Sequence, residues 1–498
     1  MAIKHEYNNR FAGIRQIHPS ALYRSSNRRA SELIKYFMDK RTIKYYLVIY
    51  ILSIFSLISP AYSVARSGEM LRDKFVRGNQ SGVPIGSVQT GVISYLNKIK
   101  QYEENGYPDT KGAEIKIGVD SIMRSSNSNI PLKDGINGMK EAVLEWNEGY
   151  EWFEWEFEVN DGGLYEVHIE YCALPSNATY IQREITIDGE FPFKEAANIP
   201  FYRFYRDDGK ASINYEGNEV RPKQIEIPIW KISPIFDING MHSTALKFYF
   251  SRGKHILRLT YVDGDVAIGN IFVRSPEVIP LYEDSIKQHN GMAYNNEGKT
   301  VNFQVEYPYL KNNMTIRAEY DADPCSEPSS RGYIRYNIIG GWRWSNPNDE
   351  ISFKFTVPET GLYKIAIKYK KDDSEMTHFP AVRQISVDSL VPFREVLEYR
   401  FEYTREWKNE ILCSKDKKPF LFYLEKGEHT LEMTVKMGVY AKPVENIYET
   451  LDLLSGVVSD IMKQTGTEPD LNFDYDLEEK IPGLLENLEK LIHMNQTS

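Results

Sequence analysis

Residues 163–171 read GLYEVHIEY, and residues 361–369 read GLYKIAIKY. In the first stretch Tyr165, Val167, Ile169 and Tyr171 take alternate positions, with Glu166, His168 and Glu170 between them. Successive side chains of a strand point to opposite faces, so this spacing predicts a strand with one buried face and the charged residues turned to water. The neighbourhood repeats as well. Trp146 followed by Trp155, Phe157 and Val159 returns as Trp344 followed by Phe353, Phe355 and Val357. REITIDGEFPFKE at 183–195 returns as RQISVDSLVPFRE at 383–395, and YFSRGKHIL at 249–257 returns as YLEKGEHTL at 423–431. Three blocks repeated in one order describe a duplicated domain.

Each copy is predicted to be a β-sandwich or jelly roll. Ile185 and Ile187 run into the Asp188-Gly189 turn signal, and Arg252-Gly253-Lys254 separates Tyr249 and Phe250 from Ile256, Leu257 and Leu259. Short strands punctuated by Gly and Asp favour a sandwich, and a parallel sheet would need a helix between strands that neither copy supplies. The chain is therefore read as mainly β, with residues 113–282 and 301–440 as two tandem sandwich domains.

The flanks have a different character. Tyr45 to Ala65 carries no charge, Lys35, Lys40, Arg41 and Lys44 precede it, and Ala61-Tyr62-Ser63 places small residues where a signal peptidase cuts. From Met38 the segment has the proportions of a signal peptide. Residues 1–43 are thus a cytoplasmic or start-site extension, and 44–65 a cleaved signal peptide or an uncleaved membrane anchor; both fit, since the apolar run is just long enough to span a bilayer. No Cys follows it, which removes a lipoprotein anchor. Everything after Arg66 is expected outside the membrane, secreted or held at the cell surface. Residues 66–112 read as a linker with a helical turn or two between Ile93 and Tyr102. Residues 441–498 read as helical. Ile447, Leu451, Leu454, Val457 and Ile461 mark one helix ended by Gly466, and Pro482 opens a second containing Leu484, Leu485, Leu488, Leu491 and Ile492. Helices of this size cannot bury themselves alone and are expected to dock on the second sandwich or on something outside this chain.

The 60 basic and 70 acidic residues are interspersed and give a net charge of −10, which leaves no basic stripe for nucleic acid. Cys172, Cys325 and Cys413 are odd in number and lack metal-ligand spacing, so they read as small buried hydrophobes; a disulfide between two would leave one over. Asn177 and Asn313 open glycosylation-type triplets, which are frequent by chance.

REITIDGEFPFKEA at 183–196, GNEVRPKQIEIPIW at 217–230, FYFSRGKH at 248–255 and TGTEPDLNFDYDLEEKIPGLLENL at 465–488 resemble the N-terminal half of large secreted solute-binding proteins of carbohydrate ABC transporters from Gram-positive bacteria. The resemblance spans roughly residues 90–490. It implies tandem modules similar to carbohydrate-binding modules of the galactose-binding-like class, a polysaccharide or oligosaccharide ligand, and sugar-transporter components as partners. The sequence departs from that family at Ser498, where the solute-binding domain would begin, either as a natural end or as a truncation before that domain.

Sugar-binding surfaces need flat aromatic rings for the C–H faces of pyranoses, with amides, carboxylates and guanidinium groups for the hydroxyls. The chain has 34 Tyr and 7 Trp. Trp146, Trp155 and Trp344 keep the repeat register and read as core. Tyr150, Trp152 and Trp342 fall out of that register and are candidate ligand contacts, as are Tyr202, Tyr205 and Arg206 after the PFKEA block. GNEVRPKQIEIPIW has no counterpart in the second copy; its Arg221, Gln224 and Glu226 serve either ligand contact or a clasp over the sandwich. The resemblance also implies one structural calcium, for which Glu114, Asp263, Asp265 and Asn270 offer oxygens from distant segments. Arg183-Asp188 and Arg383-Asp388, like His255 and His429, recur in both copies and read as structural.

No HExxH, GxSxG, P-loop or dinucleotide fingerprint occurs, and among 70 acids no glycosidase pair is singled out. The expected function is non-catalytic carbohydrate binding. A structural surface or adhesion protein without a sugar ligand, and an accessory module of a glycoside hydrolase, remain alternatives.

Overall fold

The computed structural model describes residues 92–176, 178, 180–289, 291, 300–372, 379–467, 469–470 and 473–497. The segment 44–65, read as signal or anchor, lies outside them, as do residues 1–43 and Asn177. Among the described residues no helix is long and apolar enough to cross a membrane. The chain divides into two compact units: residues 92–454 with 490–497 are the described part of one, and residues 455–489 belong to the other.

The first copy builds two sheets. One contains β1 (Glu114–Ile117), β3 (Leu132–Asp134), β4 (Ala142–Trp146), β6 (Gly163–Ala173), β13 (Trp230–Pro234), β14 (Lys247–Phe250) and β16 (Val266–Arg274). Its order is β13-β6-β16-β4-β3, with β1 also on β16 and β14 also on β6. The other sheet runs β2 (Ile122–Ser125), β5 (Trp152–Val159), β15 (Gly253–Asp263), β7 (Ile181–Ile187), β8 (Ile199–Phe201). Val167, Ile169 and Tyr171 of β6 meet Phe153, Trp155, Ile185 and Leu257 from the opposite sheet in one core. The expected register holds on that face. On the other face Glu166 is buried, because residues 275–277 cross it: its carboxylate accepts the Glu277 amide and faces His168 Nε2 at 3.1 Å. Gly163 begins β6 where the Pro108 carbonyl stands 2.8 Å from the place of a Cβ, so the glycine of the GLY motif admits a close chain crossing.

The second copy repeats the plan less completely. β20 (Glu350–Val357), β27 (Gly427–Val435), β23 (Ala381–Val387) and β24 (Tyr399–Phe401) form a sheet in that order, continued beyond β20 by β17 (Leu310–Lys311). The long β6 becomes β21 (Gly361–Tyr363) and β22 (Ala366–Lys371), paired with β26 (Phe422–Leu424) and β25 (Thr404–Ile411). Phe353, Ile385, Phe393, Leu431 and Met433 centre its core.

The repeated motifs make the same contacts twice. Arg183 lies over the Trp146 ring at 4.3 Å, and Arg383 over Trp344 at 4.3 Å. Asp188 and Asp388 turn the chain at φ 53° and 52°. Asp188 faces His255 Nδ1 at 2.7 Å and Asp388 faces His429 Nδ1 at 2.6 Å. Arg183 and Asp188 therefore hold different partners and do not bridge one another. Tyr165 and Tyr363 donate to the Asp161 and Glu359 carbonyls, each at 2.6 Å.

Two boundaries shift from the sequence reading. Residues 92–112, read as linker, pack on the first sandwich: α1 (Tyr95–Glu104) buries Tyr95 and Tyr102. Tyr95 N donates to Glu195 (2.7 Å), its ring meets Phe193 edge-on at 4.9 Å, and its hydroxyl accepts the Lys247 amide. The second copy repeats this at α2 (Tyr282–Lys287), where Tyr282 N donates to Glu395 (2.9 Å) and the ring meets Phe393 at 4.9 Å. The repeat thus opens with an anchoring tyrosine, before residues 113 and 301.

Helix α3 (Ala441–Thr465) follows the second copy, and Gly466 ends it at φ 72°. In residues 441–454 its acidic side meets the first sandwich, not the second: Glu449 accepts from Ser94 and Asn97, Asp452 pairs with Lys194, and Glu445 lies 3.8 Å from His242. Within the other unit, a helical turn at Leu477–Lys480 precedes the helix Leu484–Thr497, which runs out of that unit.

Candidate functional site

The stretch 203–226 leaves the first sandwich and joins the second. β9 (Tyr205–Asp207) and β12 (Gln224–Glu226) pair antiparallel and extend the sheet of the second copy, Tyr205 standing opposite Lys311 of β17. Lys311 pairs with Asp207 at 2.9 Å, its side chain fully buried; burial pulls the ammonium below its usual range, against the pull of Asp207. Gln224, with its amide oriented to suit both neighbours, donates to the Met314 carbonyl at 2.6 Å and accepts from Lys311 Nζ at 3.0 Å. Glu226 neutralises the buried Arg203 at 2.7 Å. Tyr205, Gln224 and Glu226, candidate ligand contacts by sequence, are thus tied up in this clasp. Arg206, between Tyr205 and Asp207, stays exposed.

Beyond the clasp, β10 (Ser212–Ile213) and β11 (Glu219–Val220) form a small hairpin against residues 333–336, where Glu219 accepts the Tyr336 amide and donates its own to the Ile334 carbonyl. Arg221 follows and reaches β18 (Ala318–Tyr320): Nε donates to the Ala318 carbonyl and Nη2 to Glu319 at 2.8 Å. β18 pairs with β19 (Tyr336–Ile339), after which Gly340 and Gly341, at φ 137° and 61°, turn the chain through Trp342 and Arg343. Only glycine adopts two such consecutive conformations without strain.

This turn brings two sequence candidates, Arg221 and Trp342, to one place. Trp342 is 61% exposed, and Arg343 stacks over its ring at 4.0 Å. Arg343 also contacts Glu319, while Arg317 Nε lies 3.7 Å from the same carboxylate. Three guanidinium groups therefore share one Glu. Burial lowers the Arg317 pKa, and Arg343 and Arg221 lower it further. Arg317, Glu319 and Arg343 are not among the candidate ligand contacts read from the sequence; Arg317 stands just before β18 and Arg343 on the turn after β19, and they come together only when the two strands pair.

The remaining candidates lie elsewhere. Tyr150 packs against the first core, stacked on Phe153 at 5.7 Å, and its carbonyl accepts Trp146 Nε1. Trp152 is half-buried under Arg258, 4.2 Å over its ring. Tyr202 exchanges backbone bonds with the Tyr171 hydroxyl, and burial, with Asp349 adding to it, pushes its own phenol far above the usual range. The calcium candidates do not converge. Glu114 pairs with Arg274 at the far end of β16, whereas Asp263 and Asp265 flank the turn entering it, and Asn270 donates to Glu170 and Glu141. Among the described residues no group of three or more His, Cys, Asp or Glu is placed to hold a metal ion.

No protein-family model matches the chain, and no curated protein matches it. Among solved structures it is similar to the C-terminal CBM6 of LamC, a marine laminarinase from Zobellia galactanivorans, at 11% identity over 33% of this chain and 100% of that one, with a TM-score of 0.20. A family 35 carbohydrate binding module from an environmental isolate matches at 11% identity over 33% and 99%, TM-score 0.19. A carbohydrate binding module of Cellvibrio mixtus lichenase 5A, in complex with cellotriose, matches at 10% identity over 33% and 98%, TM-score 0.18.

Proposed function

We propose that this chain is a non-catalytic extracellular glycan-binding protein, related to the N-terminal region of solute-binding proteins of carbohydrate ABC transporters. The observation that carries the reading is Trp342, an indole 61% exposed on a glycine-built turn and backed by Arg343 at 4.0 Å. One face is held by the guanidinium; the open face suits the C–H surface of a pyranose, and planar donors stand beside it for hydroxyls. A glycosidase would need two carboxylates facing one another across a cleft. Here Glu319 is instead surrounded by arginines.

The test is a glycan array probed with the full chain. Binding of at least one oligosaccharide class is expected, weakened several-fold by Trp342→Ala at unchanged melting temperature. A folded chain that binds no glycan favours a structural surface protein.

A further inference from the structure

The tryptophan stands in a locally basic surface on an acidic chain. Around the β18–β19 hairpin Arg221, Arg317, Arg335 and Arg343 face Glu219 and Glu319. Two of the four arginines are committed: Arg221 to the Ala318 carbonyl and Glu319, and Arg335 to the Gly217 and Ile334 carbonyls. Nearby, Asp207 is paired with Lys311, and Asp321, directly after β18, accepts from the Trp407 indole. That leaves Arg317 and Arg343 sharing a carboxylate already bound by Arg221. Arg343 Nε stands against Glu319 Oε1, while Arg317 Nε, 3.7 Å from the same oxygen, is buried without a hydrogen-bond partner. Guanidinium groups so placed repel one another and gain from any oxyanion they can grip in a fork.

We infer that this surface selects acidic glycans: a pyranose stacked on Trp342 carries a carboxylate or sulfate that Arg317 and Arg343 bind. The inference rests on the glycan-binding reading and names its substrate class. A nucleic acid fits less well, because backbone binding draws on many phosphate contacts, whereas here four arginines already face two glutamates on a chain of net charge −10.

The experiment titrates the full chain, at about 0.15 M salt where screening is short-ranged, with a neutral galacto-oligosaccharide, its uronate counterpart, its sulfated counterpart and a poly(dT) of equal charge. At least one acidic sugar is expected to bind roughly tenfold tighter than the neutral one, a difference of about 1.4 kcal/mol. The tighter of the two acidic sugars identifies the oxyanion. Arg317→Gln, on a side chain 40% exposed and so tolerant of change, is expected to bring the acidic-to-neutral ratio close to one; Arg343→Gln should do the same. Equal binding of neutral and acidic sugars overturns the selectivity and leaves glycan binding intact. Binding of no sugar by a folded chain overturns both. Binding of poly(dT) as tightly as the best sugar also overturns the inference, marking a general polyanion surface.

Discussion

Asp207 and Lys311 form an ion pair of 2.9 Å with the lysine side chain fully buried, and they come from different copies of the repeat. The hairpin carrying Asp207 leaves the first sandwich to extend the sheet of the second. Breaking one side of such a pair strands a charge, at a cost of about 3–5 kcal/mol. Asp207→Ala is expected to lose that much in urea unfolding, while Asp207→Leu combined with Lys311→Met recovers most of it. Additive losses in this double-mutant cycle would show that the two residues are not coupled.

Arg183 is wholly buried between Trp146 and Tyr261, 4.3 and 4.5 Å from their rings, and donates to the Gln182, Asp263 and Gly264 carbonyls. Lysine cannot reproduce that planar fork. Each orphaned buried carbonyl costs about 1–3 kcal/mol. Arg183→Lys and Arg383→Lys are therefore both expected to lower the melting temperature, Arg183→Lys more, since Arg383 donates to two carbonyls, those of Val382 and Trp344. Unchanged melting in either variant would mean that the repeated Trp–Arg stack is not a fold contact.

The docked part of α3 is expected to loosen as pH rises. Burial raises both Glu195 and Glu445 to about 7, Asp237 adding to each. Both carboxyls hold a proton more tightly in the fold than in the unfolded chain. Their contribution is full below about 4.5, the ordinary glutamate value, and is lost as pH climbs through about 7. His242, whose pKa burial lowers, acts oppositely and only as pH falls below its ordinary range. Amide exchange of residues 441–454, corrected for intrinsic rate, should be slower at pH 6.5 than at pH 8, and Glu445→Gln should flatten the difference. Equal protection at both pH values in the unaltered chain would contradict this.

On β5 the repeat register distinguishes two tryptophans. Trp155 is wholly buried and Trp152 half-buried under Arg258. Trp155→Ala is expected to cost about 3–5 kcal/mol, and Trp152→Ala markedly less. Comparable losses in thermal unfolding would place both rings in the core.

The duplication was legible because the residues that lock each copy, such as Trp146 with Arg183 and Asp188 with His255, sit inside the repeated blocks. The opening tyrosines were not, since Tyr95 and Tyr282 lie in segments that share little beyond Ile99-Lys100-Gln101 and Ile286-Lys287-Gln288. The clasp was half legible: the absence of GNEVRPKQIEIPIW from the second copy marked it, but its partner β17 is two residues long and belongs to the other copy. Periodicity was only partly right for α3. Of the face it marked, Val457 is buried, but Ile447 and Leu451 are 52% and 54% exposed, and residues 441–454 hold on through Glu445, Glu449 and Asp452. Nor could spacing find the arginine cluster, which exists only once β18 and β19 pair and the Gly340-Gly341 turn swings Arg343 over Trp342.

The most direct test of the account compares two aromatic surfaces by calorimetric titration. An oligosaccharide found to bind the full chain is titrated into Trp342→Ala and Trp152→Ala, each with its melting temperature measured. Ring stacking contributes about 0.5–1.5 kcal/mol beyond buried area, so Trp342→Ala should weaken binding several-fold to tenfold while Trp152→Ala stays within about twofold. Loss of binding in Trp152→Ala with Trp342→Ala unaffected would contradict the placement of the site.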